Sequence, residues 1–155
     1  MFLFLVHHAE AVGPGVDPQR PLSPRGLAQA AALAAEAHAR RAKPTLIWHS
    51  GKLRSRQTAE AFLRVCNPSA TFRATRGLLP GDPTVWVENA LALEDQDVLV
   101  VGHIPHLPSL ARALGAVDPL PVNGMLAFER TGAVSYTQRW VISGTTGATG
   151  TTGER

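Results

Sequence analysis

The sequence is poor in the residues that mark several classes of protein. Its single cysteine, Cys66, cannot form an intrachain disulfide and suits a reducing compartment. The arginines are scattered and form no basic stripe with interleaved aromatics, so the net charge of +3 does not predict nucleic-acid binding. Residues 1–6 are apolar but lack the basic segment of a signal peptide, and they are too short to span a bilayer. We expect a cytoplasmic protein that binds neither nucleic acid nor membrane.

The chain does have a regular alternation of short apolar runs with helical patterns. Its 155 residues, 45% of them hydrophobic, suffice to bury one core. Strands are predicted at 2–6, 45–48, 71–74, 97–101, 125–129 and 134–142, and helices at 24–42, 52–65, 83–93 and 106–114. This order predicts an α/β fold, a three-layer α/β/α sandwich around a mostly parallel sheet, over residues 1–142. Residues 143–155 are rich in Gly and Thr, and we expect a disordered tail there.

Polar side chains follow three of the predicted strands. His8 comes after the first strand, Ser50 and Arg54 after the second, and His103 after the run at 97–101. The carboxyl ends of parallel strands meet at one edge of a sheet, where open α/β folds place their sites. Two imidazoles and a guanidinium at that edge suit a pocket for a tetrahedral anion with a nucleophile beneath it. The sequence therefore predicts phosphoryl transfer through a phosphorylated histidine.

The residues around these positions form motifs in a recognisable order. They are His8-Ala9-Glu10, Arg20-Pro21-Leu22-Ser23-x-x-Gly26, Ser50-x-x-x-Arg54-x-x-Gln57-Thr58-Ala59 and Gly102-His103-Ile104-Pro105. Over about residues 2 to 115 the chain resembles the histidine phosphatase superfamily, whose fold is phosphoglycerate mutase-like. The short bacterial phosphohistidine phosphatases are the branch that it resembles most.

The resemblance implies a role for each residue at a motif position. His8 would be the nucleophile, Arg54 the main phosphate clamp and Arg20 a second clamp. His103 would donate a hydrogen bond to a phosphoryl oxygen and stabilise developing charge, and Ser50 would hydrogen-bond within the pocket. We expect no cofactor and no metal ion, since the His103-x-x-His106 spacing has no carboxylate near it in the sequence.

One position departs from the family pattern. Where the family has an arginine before its nucleophilic histidine, this chain has His7. Arginine offers a permanent charge and a planar fork of donors, whereas histidine offers at most two donors. Losing such a contact could cost about 2 to 4 kcal/mol of transition-state stabilisation. With His7 as a phosphate-binding residue, three kinds of protein are compatible with the sequence. They are a slow enzyme, an enzyme that is more active in mild acid, and a family member that has lost its activity.

The general acid is left open by the sequence. Asp82 resembles the loop residue in which the family places an acid, but an Asp before Pro83 also looks like the N-cap of a helix. Glu10 is the second candidate, with a structural role as its alternative. A phosphohistidine substrate relaxes the need for an acid, because its phosphoramidate bond is labile.

Three functions are therefore compatible with the sequence. The first is a phosphatase that removes phosphate from a histidine-phosphorylated protein, which the short chain favours because it has little room for insertions that would roof the site. The second is a phosphate-binding module without turnover, which His7 favours. The third is a phosphomonoesterase or mutase that acts on a small phosphorylated substrate.

Overall fold

A six-stranded sheet forms the centre of the computed structural model, which describes residues 1–144. The strand order is β3-β2-β4-β1-β5-β6. The four parallel strands are β1 (Phe2–His7), β2 (Leu46–His49), β3 (Thr71–Ala74) and β4 (Val98–Gly102), and the two antiparallel strands are β5 (Met125–Arg130) and β6 (Tyr136–Ile142). The prediction of a mostly parallel sheet is confirmed.

Helices cover both faces of this sheet. They are α1 (Pro24–Ala39) and α2 (Leu53–Cys66) on one face, and α3 (Val85–Ala92) and α4 (His106–Ala113) on the other. Side chains of β1 alternate between the two cores: Phe4 and Val6 pack with α1 and α2, while Leu3 and Leu5 pack with α3 and α4. The three-layer prediction is therefore correct.

Strand β4, a run of Val and Leu, lies between β1 and β2 near the centre of the sheet. All five of its residues are buried, because β1 and β2 flank it and helices cover both faces. The register pairs His7 of β1 with Gly102 of β4, and His49 of β2 with Val101 of β4. The residues that follow these three strands consequently reach the same edge of the sheet.

The first helix begins where the sequence predicted. Ser23 has extended backbone angles, and its hydroxyl accepts a hydrogen bond from the Gly26 amide at 2.9 Å, with Pro24 in the first turn. The helix ends at Ala39, before the predicted residue 42, because Arg41 adopts a left-handed φ of 67°.

Of the two roles left open for Asp82, the helix N-cap is wrong. Helix α3 begins at Val85, and Thr84 occupies the position before it. The Asp82 carboxylate instead accepts a hydrogen bond from the Leu79 amide at 2.9 Å, which closes a local turn. Asp82 therefore does not cap the helix, and its other role, as the general acid, stays a prediction.

Two further features are the single cysteine and the carboxyl-terminal residues. Cys66 is buried, and burial raises the pKa of its thiol to about 11, so the thiol stays protonated at neutral pH. Residues 145–155 of the predicted tail lie outside the described residues. Gly144, at the end of the described chain, packs against the backbone of Val122 and Asn123.

None of the helices within residues 1–144 combines the length and apolar character needed to cross a membrane.

The closest packing near the amino end of α1 involves Gly26. A Cβ added there would overlap the carbonyl oxygen of Glu10, whereas one added at Gly15 would meet nothing within 4 Å. We expect Gly26→Ala to lower the free energy of unfolding by about 2 kcal/mol or more, because the loop after β1 must move. Gly15→Ala, the matched control, should change it by less than about 0.5 kcal/mol. Urea denaturation measures both, and equal stability of the two variants would contradict this packing argument.

Candidate active site

Three histidine rings lie together at the carboxyl edge of the sheet. The ring centroids of His7 and His8 are 4.5 Å apart, and those of His8 and His103 are 5.1 Å apart. The backbone positions them, since the His8 amide donates to the carbonyl of Gly102 at the end of β4, at 3.1 Å. The convergence predicted from the strand ends is therefore present.

His8 is held in one tautomer. Its Nδ1 lies 2.7 Å from the carbonyl oxygen of Ala9, and a carbonyl can only accept, so Nδ1 carries the proton and Nε2 keeps its lone pair. Burial lowers the pKa of His8 to about 4, partly opposed by this hydrogen bond, and the guanidinium groups of Arg54 and Arg20 lower it further. At neutral pH the ring is uncharged, as a nucleophile requires.

Two arginines supply the positive charge of the site. Arg54 is the second residue of α2, and its Nε is buried; burial and then the charge of Arg20 lower its pKa. Within residues 1–144 no carboxylate forms an ion pair with either guanidinium. Two cations that approach each other without a carboxylate partner favour binding of an anion, and a phosphate can accept from both.

Arg20 is placed by its loop. Its Nε donates to the carbonyl of Val12 at 2.9 Å, and its backbone has a left-handed φ of 52°. Non-glycine residues adopt this conformation at a cost of about 1 kcal/mol or more, and such residues cluster at ligand sites. The loop thus brings Arg20 beside Arg54 and His8, where the sequence predicted a second clamp.

Helix α2 also fixes the loop that carries His8. The Thr58 hydroxyl accepts from the Ala9 amide at 3.0 Å and donates to the Arg54 carbonyl at 2.8 Å. The Gln57 side chain accepts from the Leu22 amide at 2.7 Å. Sequence reasoning placed Gln57 and Thr58 in a motif without giving either a role. Their role here is to tie the His8 loop to the helix that bears Arg54.

Ser50 and His103 form a pair. The Ser50 hydroxyl and Nε2 of His103 are 2.6 Å apart, a short hydrogen bond, and the Ser50 amide donates to the Ser55 hydroxyl at 3.1 Å. Burial lowers the pKa of His103 to about 3, and the nearby His8 and Arg54 lower it further. His103 is therefore neutral at neutral pH, and any hydrogen bond that it gives to a phosphoryl group comes from an uncharged ring.

His7 contacts Asn123, a residue that the sequence analysis missed. Its Nδ1 accepts a hydrogen bond from the backbone amide of Asn123 at 2.8 Å, and the Asn123 side chain donates to the His8 carbonyl at 2.7 Å. Burial, then the neighbouring His8, lowers the pKa of His7 to about 4. The signal available in the sequence was the Asn123-Gly124 dipeptide before β5, since Asn-Gly is typical of turns with positive φ.

The two candidate acids occupy different surroundings. Asp82 lines a cavity of about 430 Å³ that Ser50 borders on the side of the site. Glu10 accepts from the Ser23 hydroxyl at 2.7 Å and forms an ion pair with Arg25 at 3.9 Å, so it stabilises the start of α1. The structural alternative for Glu10 is thus supported, and Asp82 is the carboxylate that borders the cavity.

The surroundings of His106 differ from the sequence expectation in one respect. Burial lowers the pKa of His106, and the charge of Asp82 partly opposes that shift, so a carboxylate does lie near this histidine. Across residues 1–144, however, no three or more side chains of His, Cys, Asp or Glu are grouped closely enough to hold a metal ion.

Solved structures similar to this chain include the protein histidine phosphatase SixA complexed with tungstate, with a TM-score of 0.82 and 22% identity over 92% of this chain and 97% of that one. A putative phosphohistidine phosphatase SixA from Agrobacterium tumefaciens has a TM-score of 0.76 and 22% identity over 92% and 97%. The alpha-ribazole phosphatase from Shigella flexneri has a TM-score of 0.69 and 18% identity over 90% and 95%.

These likenesses confirm the phosphoglycerate mutase-like fold. Among curated proteins there is no match to this chain. Residues 3–78 match the family model of the histidine phosphatase superfamily (branch 1), a stretch that includes His8, Arg20 and Arg54. Residues 3–78 are thus similar to the histidine phosphatase superfamily, and the chain as a whole shares the fold of the solved structures above.

Proposed function

We propose that this chain removes a phosphoryl group from a histidine-phosphorylated protein through a phosphohistidine on His8. The observation that carries the proposal is the tautomer of His8: Ala9 fixes the proton on Nδ1, so the lone pair of Nε2 is available beside Arg20 and Arg54. A neutral imidazole next to two guanidinium groups that form no ion pair with the carboxylates of residues 1–144 is suited to attack the phosphorus of a bound anion.

The reaction would proceed in two displacements. First, Nε2 of His8 attacks phosphorus, the new N–P bond forms as the substrate N–P bond breaks, and the leaving imidazole takes a proton from Asp82 or water. Second, water attacks phosphorus and gives a proton to the Asp82 carboxylate or to solvent, the bond from phosphorus to Nε2 of His8 breaks, and inorganic phosphate leaves. Arg54, Arg20 and His103 would stabilise charge on the phosphoryl oxygens in both steps.

The surroundings of the site support a protein as the substrate. The cavity beside Ser50 is an open groove, formed by the short connection between β3 and α3. Its wall includes Asp82 and the exposed Trp86, with the Arg76 guanidinium 5.2 Å from the Trp86 ring centre. An exposed aromatic residue with a stacked arginine is typical of surfaces that bind protein segments.

Two alternatives share the same pocket. The fold likeness to the alpha-ribazole phosphatase keeps a small phosphorylated substrate as a candidate. The neutral state of His7 keeps a phosphate-binding module without turnover, because this ring adds no charge where the family has arginine. In the binding module, His8 would never become phosphorylated, and this separates it from both enzymes.

Phosphoenzyme formation tests the proposed reaction. With a radiolabelled phosphodonor and rapid quench, wild type should form a label that is stable in base and lost in acid, as expected of a phosphoramidate. His8→Ala should reduce labelling by about a hundredfold or more, because it removes the nucleophile. The exposed His38 lies outside the site, so His38→Ala is the matched control and should label as wild type does.

The outcome separates catalysis from binding. Wild type that binds inorganic phosphate but takes up no label at any pH would exclude both enzymatic functions. Equal labelling of wild type and His8→Ala would show that another residue is the nucleophile.

The pH dependence follows from the lowered pKa of His8. A group that must be neutral to react, and whose pKa is about 4, loses activity only as the pH falls toward that value. We expect the rate of labelling to stay within about twofold from pH 8 to 5.5 and then to decline, after correction for ionisation of the phosphodonor. A midpoint near the ordinary histidine value of about 6.5 would contradict the buried environment assigned to His8.

The groove wall predicts substrate preference. Trp86→Ala should raise KM for a histidine-phosphorylated protein about tenfold, because the exposed ring and its stacked Arg76 are lost. The effect on a small aryl phosphate, which reaches less of the groove, should be about twofold. Leu93→Ala removes another exposed apolar side chain and serves as the control. Equal effects of Trp86→Ala on both substrates would favour a small-molecule substrate.

A further inference from the structure

The loop of residues 121–124, between α4 and β5, makes three contacts with the two adjacent histidines. The Asn123 amide donates to Nδ1 of His7 at 2.8 Å, and its side-chain amide donates to the His8 carbonyl at 2.7 Å. The His7 amide in turn donates to the Gly124 carbonyl at 3.0 Å. We propose that Asn123 is a positioning residue, which holds His7 as a neutral Nε2–H donor toward the phosphoryl group and anchors the backbone of the nucleophile.

The tautomer of His7 follows from the chemistry of its partner. A backbone amide can only donate, so Nδ1 of His7 must be unprotonated while this hydrogen bond exists. The proton of the neutral ring then resides on Nε2, the nitrogen left to contact a ligand. A second proton on Nδ1 would place two donors face to face, which excludes the cationic form in this arrangement.

The residues that face His7 agree with a neutral ring. His8 follows it on the chain, and His103 lies beyond the end of β4; both are titratable, and the pKa of each is lowered. Arg54 and Arg20 act on the same cluster from α2 and from the loop after β1. Among the described residues, no carboxylate contributes to the pKa of His7, so nothing there stabilises an imidazolium.

Asparagine suits this position for two independent reasons. Its backbone has a left-handed φ of 55°, which Asn tolerates better than most residues. Its side chain supplies the NH₂ group that the His8 carbonyl accepts. Glycine would keep the backbone conformation without the donor, and aspartate would keep the shape but turn an acceptor toward a carbonyl.

Close backbone packing holds the loop in place. A Cβ on Gly124 would lie 2.5 Å from the Ile142 carbonyl oxygen and 2.8 Å from Cβ of Pro121. A Cβ on Gly144 would lie 2.6 Å from the carbonyl oxygen of Asn123. The end of β6 thus lies directly against the loop, and the Asn123 amide is presented to His7 by backbone that has little room to move.

A matched pair of His7 variants tests the donor role. In His7→Gln the amide nitrogen can replace Nε2 as a neutral donor, whereas in His7→Asn the shorter side chain keeps an acceptor for Asn123 but does not extend to the position of Nε2. We expect His7→Gln to bind inorganic phosphate within about threefold of wild type and His7→Asn about tenfold more weakly. Equal affinities of the two variants, or a weaker His7→Gln, would overturn the inference.

Nitrogen NMR of the imidazole rings tests the tautomer directly. We expect His7, assigned by its loss in His7→Gln, to keep Nδ1 unprotonated and Nε2 protonated from pH 8 down to about 5.5. A ring with its proton on Nδ1, or one that becomes cationic near pH 6.5, would overturn the inference.

Variants of Asn123 test the positioning role. Asn123→Asp adds a negative charge beside two histidines, so it should slow phosphoenzyme formation about tenfold and shift its acid limb to higher pH. Asn123→Gly should slow labelling by a similar factor without this shift. Loss of folded protein would reduce the amplitude of labelling in either variant, but it would not move the pH profile. An unmoved profile in folded Asn123→Asp would overturn the inference.

The inference rests on the proposed function, but it can fail separately. Phosphate affinity and the tautomer are measured without turnover. In one outcome, wild-type protein shows the expected tautomer and variant affinities but forms no phosphoenzyme. That result would contradict the proposed phosphatase function and support the positioning of His7 by Asn123. A His7 that titrates near pH 6.5 in a protein that forms the phosphoenzyme would overturn the positioning alone.

Discussion

The site depends on how the backbone around His8 is fixed. The carbonyl of Gly102 in β4 accepts a hydrogen bond from the His8 amide, and the Thr58 hydroxyl of α2 accepts one from the Ala9 amide. The side chain of Asn123 donates a hydrogen bond to the His8 carbonyl. Because the imidazole is joined to the backbone by only two rotatable bonds, these three attachments define where its ring can lie. The hydrogen bond from Nδ1 to Ala9 then decides which nitrogen of the ring keeps its lone pair. Parallel pairing of β1 with β4 is what brings all of these groups to one edge.

The electrostatics of the pocket oppose folding and favour an anion. Three histidines are kept neutral by burial, and two guanidinium groups approach each other without a carboxylate among the described residues. Arg20 and Asn123 both have positive φ, a conformation that costs free energy in the absence of ligand. The densely packed strands on either side of β4 offset these costs. The stable centre of the sheet thus supports an edge that an anion would stabilise further.

The sequence predicted the parts of the site that depend on strand ends. Ser50, Arg54 and His103 follow apolar runs, and parallel pairing brings such residues together whatever the details of the loops. Asn123 could not be predicted in this way, because it is 115 positions from His8 in the sequence and acts partly through its backbone amide. The sequence left Asp82 open between a general acid and a helix N-cap, and the N-cap alternative is wrong for a local reason: its carboxylate accepts a hydrogen bond from the Leu79 amide, three residues earlier, and the helix starts later. The apolar runs that form paired strands are visible in a sequence. The competition among hydrogen bonds that decides where a loop ends and a helix begins is not.

His7 changes the balance of charge rather than simply removing a contact. An arginine at this position would add a third guanidinium to a pocket in which Arg20 already lowers the pKa of Arg54. A neutral ring held by Asn123 can still donate one hydrogen bond, but it leaves the attraction for an anion to Arg20 and Arg54. Binding of a phosphoryl group should therefore depend more on those two residues than in a pocket with three guanidinium groups. A labile phosphoramidate tolerates weaker stabilisation of the transition state better than a phosphate ester does. The substitution and the proposed substrate are thus mutually consistent, because a more reactive bond needs less help from the site.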